Sequence, residues 1–198
     1  MSFAQHRRNW KYGCGAGACD RAQNVVLAKG VIPCDVLFVA EAPGASEDSI
    51  GLPLVGPTGM SLDDQIGRAA AECSVVRDWR FAYTNVVGCI PTDEDGLNAG
   101  PPDAEAVEKC RPRLEEFVAM ADPKLIVCVG TVAHREFESG PKGARYVHTV
   151  KHPIGCKVIG ITHPAYMLRA PAAQRGMLER RNVVLLMDAF EAVFGVKE

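Results

Sequence analysis

Short apolar runs alternate along the chain with longer segments in which apolar residues recur at helical spacing. The runs are six to eight residues long, contain β-branched side chains and are bounded by Pro, Gly or charged residues. This pattern is typical of buried strands. It predicts four strands, at residues 34–40, 80–87, 124–129 and 157–162.

The segments between and after these runs have the spacing of amphipathic helices. They predict helices at residues 61–73, 104–119, 132–137 and 178–194. Ser61, followed by Asp63 and Asp64, suits the electropositive N-terminal end of the first helix.

Strands that alternate with helices indicate the fold class. Residues 90–103 and 140–156 are rich in Pro, Gly and polar residues, so we interpret them as loop or hairpin segments. The order of elements predicts a three-layer α/β/α sandwich around a central, mostly parallel, four-stranded sheet. We expect residues 1–198 to form a single domain, in which residues 1–33 are an N-terminal segment containing cysteines.

Composition and charge narrow the function class. The chain has 198 residues, of which 47% are hydrophobic, and this is enough to bury a core. A net charge of −2 is not typical of a non-specific nucleic-acid coat protein, so any DNA contact needs a local basic surface. No apolar run approaches the roughly 20 residues that cross a bilayer. The first residues also lack the apolar segment of a secretion signal, so we expect a cytoplasmic protein.

The most informative segment directly follows the first predicted strand. Residues 39–48 read VAEAPGASED and residues 51–59 read GLPLVGPTG, which places acidic side chains in a glycine-rich loop. Ligands of open α/β sheets bind at such carboxyl ends of strands. A Pro-Gly pair alone is more typical of a structural or phosphate-binding turn, so the pair by itself leaves the function open.

Three segments together resemble the motifs of the uracil-DNA glycosylase superfamily, most closely its iron-sulfur branch, family 4. The loop at 39–59 resembles the first motif, 83–89 (YTNVVGC) the second, and 162–169 (THPAYMLR) the third. The resemblance spans about residues 14–194. It implies a monofunctional DNA glycosylase that flips uracil out of single- or double-stranded DNA and hydrolyses its N-glycosidic bond, which initiates base excision repair. We expect this enzyme to be a monomer.

The resemblance assigns catalytic roles to two side chains. Glu41 would position or activate the attacking water and would stabilise positive charge on the sugar. A carboxylate that only holds loop amides is the alternative. His163 precedes Pro164, which restricts the His163 backbone to an extended conformation. Its neutral imidazole N–H would donate to uracil O2 as negative charge develops there.

The same motifs predict the contacts to the base. Asn85 lies near the end of a strand, and its amide matches the O4 acceptor and N3 donor of uracil, a pattern that cytosine reverses. Ala42, Gly44, Glu47 and Leu54 are the other expected substrate contacts, although Glu47 also suits a loop-organising or capping role.

Two residues depart from the family pattern. Leu54 stands where the family commonly has an aromatic residue that stacks on the flipped base, and Ala40 replaces a more usual glycine. A modified pyrimidine, such as a 5-substituted uracil, or another deaminated base therefore remains open as the substrate. A catalytically inactive uracil-DNA-binding module is a further alternative. Residues 92–98 are acidic and contain no histidine, which argues against the branch that traps DNA covalently through one.

The third motif predicts the contact with the duplex. Met167 or Leu168 would fill the space that the flipped base leaves in the stack, and Arg169 would bind a phosphate. Three later arginines would extend this basic edge or form an ordinary solvated helix face: Arg175, Arg180 and Arg181.

Eight cysteines in a chain expected to be intracellular point to metal binding, catalysis or burial rather than disulfides. The resemblance implies that four of them hold a four-iron, four-sulfur (4Fe-4S) cluster: Cys14, Cys19, Cys89 and Cys110. Four residues separate the first two, where the family usually has two. Zinc on the same thiolates is the competing interpretation. The other four cysteines are expected to be buried: Cys34, Cys73, Cys128 and Cys156.

Overall fold

A computed structural model describes residues 2–15, 22–75, 78–92, 100–137, 150–153 and 155–195. The strands are β1 (Ala28–Gly30), β2 (Val36–Ala40), β3 (Phe81–Asn85), β4 (Leu125–Val129) and β5 (Lys157–Ile161). The helices are α1 (Phe3–Asn9), α2 (Ala45–Ile50), α3 (Pro57–Glu72), α4 (Ala104–Ala121), α5 (Thr131–Phe137), α6 (Pro164–Arg169) and α7 (Ala172–Phe194).

The sheet has five strands in the order β1-β3-β2-β4-β5, and all neighbours are parallel except β1 and β3. The four predicted strands are present, but the predicted strand count of four is wrong. The additional strand, β1, contains only Ala-Lys-Gly and has no apolar alternation that could predict it. Its formation depends on pairing with β3, where Ala28 lies opposite Thr84.

Layers of helices cover both faces of the sheet, as the sequence predicted. Alternate residues of β2 point to opposite faces: Leu37 and Val39 pack with α4 and α5, whereas Val36, Phe38 and Ala40 pack with α3 and α7. All five residues of β2 are buried, which is expected for a central strand covered on both sides.

The start of α3 differs from the sequence prediction. The helix begins at Pro57, with Gly56 as its N-cap, and not at Ser61. Gly and Pro predict a loop from local preference, but Pro is favoured in the first turn, where its missing N–H costs nothing. The terminal helix likewise begins at Ala172, six residues before the predicted residue 178. Three short helices, α1, α2 and α6, were not predicted.

The predicted loops fall partly outside the described residues. Residues 93–99 belong to the first of them, and residues 138–149 and 154 include most of the second. Among the helices that the structure describes, none combines the length and apolar character needed to cross a bilayer.

Candidate active site

A cavity of about 590 Å³ opens at the carboxyl ends of the parallel strands. β2 lies between β3 and β4, so the chain first adds β3 on one side of β2 and then crosses to add β4 on the other. Such a change of direction leaves a crevice in which α/β proteins bind ligands. The cavity is lined by residues that follow or end four strands, including Glu41, Asn85, Gly130 and His163.

Glu41 is the first residue after β2, and its side chain is half-buried in the cavity wall. Burial raises the pKa of the Glu41 carboxyl above its ordinary value, because a charged carboxylate loses hydration there. Its backbone carbonyl accepts a hydrogen bond from Val87 N at 3.2 Å, which ties this position to the segment after β3. Within the described part of the chain, no side chain pairs with the Glu41 carboxylate. It is therefore available to a ligand in the cavity.

Asn85 is the last residue of β3 and is only 1% exposed, yet it lines the cavity. Its Nδ2 is buried without a hydrogen-bond partner among the described residues. An unpaired buried donor costs about 1–3 kcal/mol unless a ligand or water satisfies it. The Asn85 amide therefore presents an unused hydrogen-bonding group to the cavity.

His163 follows β5 and is the N-cap of α6. Its Nδ1 accepts a hydrogen bond from Ala165 N at 3.2 Å, so the proton of the neutral ring must lie on Nε2. Burial, and secondarily the nearby Arg169, lowers the pKa of His163, which keeps the imidazole neutral at pH 7. The ring packs against Gly130, where an added Cβ would lie 3.1 Å from both Cβ and Cδ2 of His163.

The segment before His163 is fixed by the terminal helix. Asn182, fully buried on α7, donates from Nδ2 to the Thr162 carbonyl at 2.9 Å and accepts from Thr162 N at 2.9 Å. A further bond at 2.8 Å joins Nδ2 to Gln65 Oε1 on α3. These bonds set the direction in which His163 leaves the sheet.

Glu47 also lines the cavity, and its carboxylate is hydrogen-bonded to the loop. Its Oε1 accepts from Val55 N at 3.0 Å and Gly56 N at 2.8 Å, and its Oε2 accepts from Gly44 N at 3.1 Å. The side chain is 9% exposed. Both oxygens are thus committed to loop amides, so Glu47 organises the loop, the alternative role that its sequence position also suited.

The cavity is also lined by the three other residues predicted to contact substrate: Ala42, Gly44 and Leu54. Leu54 adopts a φ of 52°, a left-handed conformation that is unfavourable for a leucine. Its carbonyl accepts from Lys29 Nζ at 2.8 Å. A Cβ added to Gly59 would lie only 2.0 Å from this carbonyl oxygen. A glycine is therefore needed at position 59 for the loop to pack against α3. The leucine side chain forms an apolar wall, 6% exposed.

The segment predicted to meet DNA forms α6. Met167 is 0% exposed and packs inside the protein, so the structure does not support its predicted insertion into a base stack. Leu168 and Tyr166 are 38% and 52% exposed. Arg169 is exposed and lines the cavity.

The later arginines have separate environments. Arg175 donates to the carbonyls of Met167 and Leu168 at 3.2 and 2.9 Å and so holds the end of α6. Arg180 pairs with Glu72 of α3. Arg181 is exposed and lines a second cavity of about 430 Å³ that adjoins the first.

Two of the predicted metal ligands are adjacent. The Sγ atoms of Cys14 and Cys110 lie 3.2 Å apart, and Cys110 is 2% exposed. Cys89 is also buried, at 2% exposed. Cys19 lies outside the described residues. Among the residues that are described, no group of three His, Cys, Asp or Glu side chains is placed to hold a metal ion.

The remaining cysteines follow the prediction of burial with one exception. Cys34, Cys73 and Cys128 are buried, whereas Cys156 is only partly buried. Burial raises the pKa of the Cys34 thiol to about 12 and that of Cys156 to about 11. Both thiols therefore stay protonated at neutral pH.

Sequence reasoning missed two buried polar residues that hold the site. Arg113 on α4 is 1% exposed and donates to the end of β3, and Asn182 holds Thr162. A polar residue among the apolar positions of a helix could have indicated both. Arg113 lies beside the apolar Leu114 and Phe117, and Asn182 directly precedes an apolar run.

Comparison with known proteins places the chain in a family. The model of the uracil DNA glycosylase superfamily matches residues 29–185. The type-4 uracil-DNA glycosylase of Pyrobaculum aerophilum is 34% identical over 159 residues, which are 76% of each chain. That of Thermotoga maritima is 32% identical, over 74% of this chain and 72% of the relative. That of Archaeoglobus fulgidus is also 32% identical, over 75% and 74%.

A solved structure supports the fold. The crystal structure of wild-type Pedobacter heparinus SMUG2 superposes with a TM-score of 0.51 and 13% identity, covering 82% of this chain and 77% of that one. The matched segment 29–185 contains the cavity residues Glu41, Asn85 and His163. The chain belongs to the uracil-DNA glycosylase superfamily and, within it, to the type-4 uracil-DNA glycosylases.

Proposed function

We propose that the protein is a monofunctional uracil-DNA glycosylase that hydrolyses the bond between uracil and deoxyribose in DNA. The observation that carries the proposal is the meeting of Glu41, Asn85 and His163 in one cavity. They come from three strand ends that are far apart in the sequence. The type-4 relatives, which are named for this activity, support the same conclusion.

Base recognition is assigned to Asn85. Its unsatisfied Nδ2 would donate to uracil O4, and its Oδ1 would accept from uracil N3–H. In cytosine, the amino group at C4 is a donor and N3 is an acceptor. The Asn85 Nδ2 would then face another donor, and its Oδ1 another acceptor. Rejection of cytosine follows from the cost of those unpaired buried groups.

His163 stabilises the leaving group. As the glycosidic bond breaks, its electron pair moves to N1 of uracil, and negative charge spreads to O2. The geometry at Ala165 leaves the His163 proton on Nε2, so the neutral ring has an N–H to donate to that oxygen. A fixed donor in a partly buried site favours the charged leaving group without a full proton transfer.

Glu41 acts on the other side of the broken bond. Its carboxylate would offset positive charge on the sugar and would accept a proton from water as the oxygen bonds to C1′. The departing uracil anion takes up a proton from solvent, and Glu41 returns the proton of the attacking water to solvent. The products are uracil and an abasic sugar, with the DNA backbone intact. Partial burial of Glu41 strengthens both electrostatic effects, because little water screens them.

DNA would meet the protein at α6 and the cavity rim. Leu168 or Tyr166 is the exposed side chain available to fill the vacated stack, and Arg169 would bind a flanking phosphate. We propose that the enzyme acts as a monomer on single- or double-stranded DNA. A DNA substrate agrees with the cytoplasmic location expected from the sequence.

Cys14, Cys19, Cys89 and Cys110 would hold a 4Fe-4S cluster. The adjacent sulfurs of Cys14 and Cys110 and the burial of Cys89 support this assignment, and the fourth expected ligand, Cys19, lies outside the described residues. Hydrolysis transfers no electrons, so the cluster would stabilise the packing of the N-terminal segment on α4. A visible absorption spectrum distinguishes it from zinc, since an iron-sulfur protein is brown and a zinc protein is colourless.

The decisive experiment is single-turnover base release from matched oligonucleotides, followed by alkaline cleavage at abasic sites. The substrates hold uracil opposite guanine, uracil opposite adenine, single-stranded uracil, a 5-substituted uracil or hypoxanthine. We expect uracil release that is lost in Glu41→Ala and His163→Ala. Preference for the 5-substituted base would favour the modified-pyrimidine alternative raised by Leu54. Binding of uracil-DNA without release of any base would instead identify a non-catalytic binding module.

A further inference from the structure

Arg113 is a fully buried cation beside the candidate active site. It is 1% exposed and is among the largest fully buried side chains. No carboxylate in the described part of the chain lies within ion-pair distance of it. Burial of an unpaired charge is costly unless hydrogen bonds replace its hydration. The contacts of this guanidinium therefore show what it does in the fold.

The guanidinium donates to the end of β3. Nη2 donates to the carbonyls of Asn85 and Val86, the latter at 2.9 Å. Nη1 donates to Thr84 Oγ1 at 3.2 Å and to the Leu27 carbonyl at 3.4 Å. Three successive residues of the chain, Thr84 to Val86, are thus held by one planar group.

Backbone hydrogen bonds to the end of β2 hold the same segment from the other side. Val86 N donates to the Ala40 carbonyl at 2.8 Å, and Val87 N donates to the Glu41 carbonyl at 3.2 Å. The peptide groups around Asn85 are therefore fixed toward β2 by their N–H groups and toward α4 by their carbonyls. The direction of the Asn85 side chain depends on both.

We infer that Arg113 is a positioning residue for base recognition, which acts through Asn85 and does not itself touch the substrate. The inference rests on the proposed function and adds a specificity determinant to it. A planar fork with five N–H donors can bind several carbonyls at fixed angles, whereas a lysine ammonium cannot reproduce that arrangement. The charge alone is thus insufficient, and Arg113→Lys should release the end of β3.

The test is a double-mutant cycle with Arg113→Lys and Asn85→Ala, measured as single-turnover uracil release. Misplacement of a binding group by about 1 Å costs on the order of 100-fold in rate, so we expect a loss of that size in Arg113→Lys. In the Asn85→Ala background, the same substitution should change the rate by less than about threefold, because the group it positions is absent. Arg80→Lys is the matched control, since Arg80 pairs with Asp35 at the opposite end of β3. It should leave the rate unchanged.

A binding measurement provides a readout that does not depend on turnover. The probes are oligonucleotides with 2′-fluorinated deoxyuridine or 2′-fluorinated deoxycytidine, whose glycosidic bonds resist cleavage. The wild type should prefer the uracil probe, and Arg113→Lys should reduce that preference by about tenfold, within the range of one bidentate base contact. Arg80→Lys should keep the wild-type preference.

Each outcome decides the inference. Equal rate losses from Arg113→Lys in the wild-type and Asn85→Ala backgrounds, or an unchanged probe preference, would mean that Arg113 only supports the fold and would overturn the inference alone. A wild type that releases no uracil would overturn the proposed function, and the inference with it. If Arg113→Lys does not fold, Thr84→Val removes one acceptor of the same group. It should then give a smaller rate loss that also disappears in Asn85→Ala.

Discussion

Glu47 holds together the loop between β2 and α3 through hydrogen bonds to its amides. The structure predicts that its carboxylate stabilises the loop and does not bind DNA. It accepts three backbone hydrogen bonds, at 2.8, 3.0 and 3.1 Å, in a site where the side chain is 9% exposed. Hydrogen bonds to a charged group contribute about 1.5–3 kcal/mol each. Because cavity water would partly hydrate the released amides, we take the lower value for each bond.

Two substitutions separate the contributions. Glu47→Ala loses all three bonds, so the free energy of unfolding should fall by about 4–5 kcal/mol. Glu47→Gln can keep both bonds at the Oε1 position, but its NH₂ group then faces the Gly44 N–H. We expect this variant to lose about 2 kcal/mol. At about 2–4 °C per kcal/mol, the melting temperature should fall by roughly 4–8 °C for Gln and roughly 9–18 °C for Ala.

The assay is thermal unfolding followed by tryptophan fluorescence, since the partly buried Trp79 packs against the core residue Phe190 with ring centroids 4.4 Å apart. Glu72→Gln is the control, because Glu72 forms a surface pair with Arg180 and should contribute less than about 1 kcal/mol. Below the melting temperature, both Glu47 variants should also release uracil more slowly. A Glu47→Ala protein that melts like the wild type but binds DNA more weakly would refute the reasoning and restore Glu47 as a substrate contact.

Three further predictions concern the cavity. In Gly59→Ala, the added Cβ would lie 2.0 Å from the Leu54 carbonyl oxygen, so we expect a lower melting temperature and slower base release. Gly67→Ala, on the same helix, is the control. Its added Cβ meets nothing within 4 Å, so this variant should melt no lower than the wild type. Leu54→Phe should tighten binding of single-stranded uracil-DNA, since base–aromatic stacking contributes about 1–3 kcal/mol, and unchanged affinity in a filter-binding titration would exclude stacking at this wall. Burial raises the pKa of Glu41, so the rate should fall as the pH drops through that raised value. The folded state then binds the Glu41 proton more tightly than the unfolded state does. The charged Glu41 carboxylate thus destabilises the fold at pH 7, and this effect vanishes below the ordinary glutamate pKa of 4.5. Glu41→Gln should accordingly raise the melting temperature at pH 7 but not at pH 4, and an equal change at both would contradict this assignment.

The sequence by itself determined the layered α/β architecture and the strand ends at which the site forms. A near-continuous apolar run is typical of a strand that is buried on both faces, and the central runs at 34–40 and 124–129 are covered by helices on each side, so their local pattern was sufficient. The motif resemblance also selected Glu41, Asn85 and His163, which the structure brings to one cavity. Their roles in catalysis and recognition stay predictions.

Only the tertiary structure decided which neighbouring side chain faces inward and where each polar group finds its partner. Met167 and Leu168 differ by about 100° around a helix, so a sequence of six residues cannot tell the buried one from the exposed one. Glu47 binds amides up to nine positions away, and Asn182 binds Thr162 across 20 residues. β1 has no apolar pattern of its own and forms because its backbone pairs with β3. Such contacts join distant segments that meet only when the chain folds, so the local sequence pattern does not predict them.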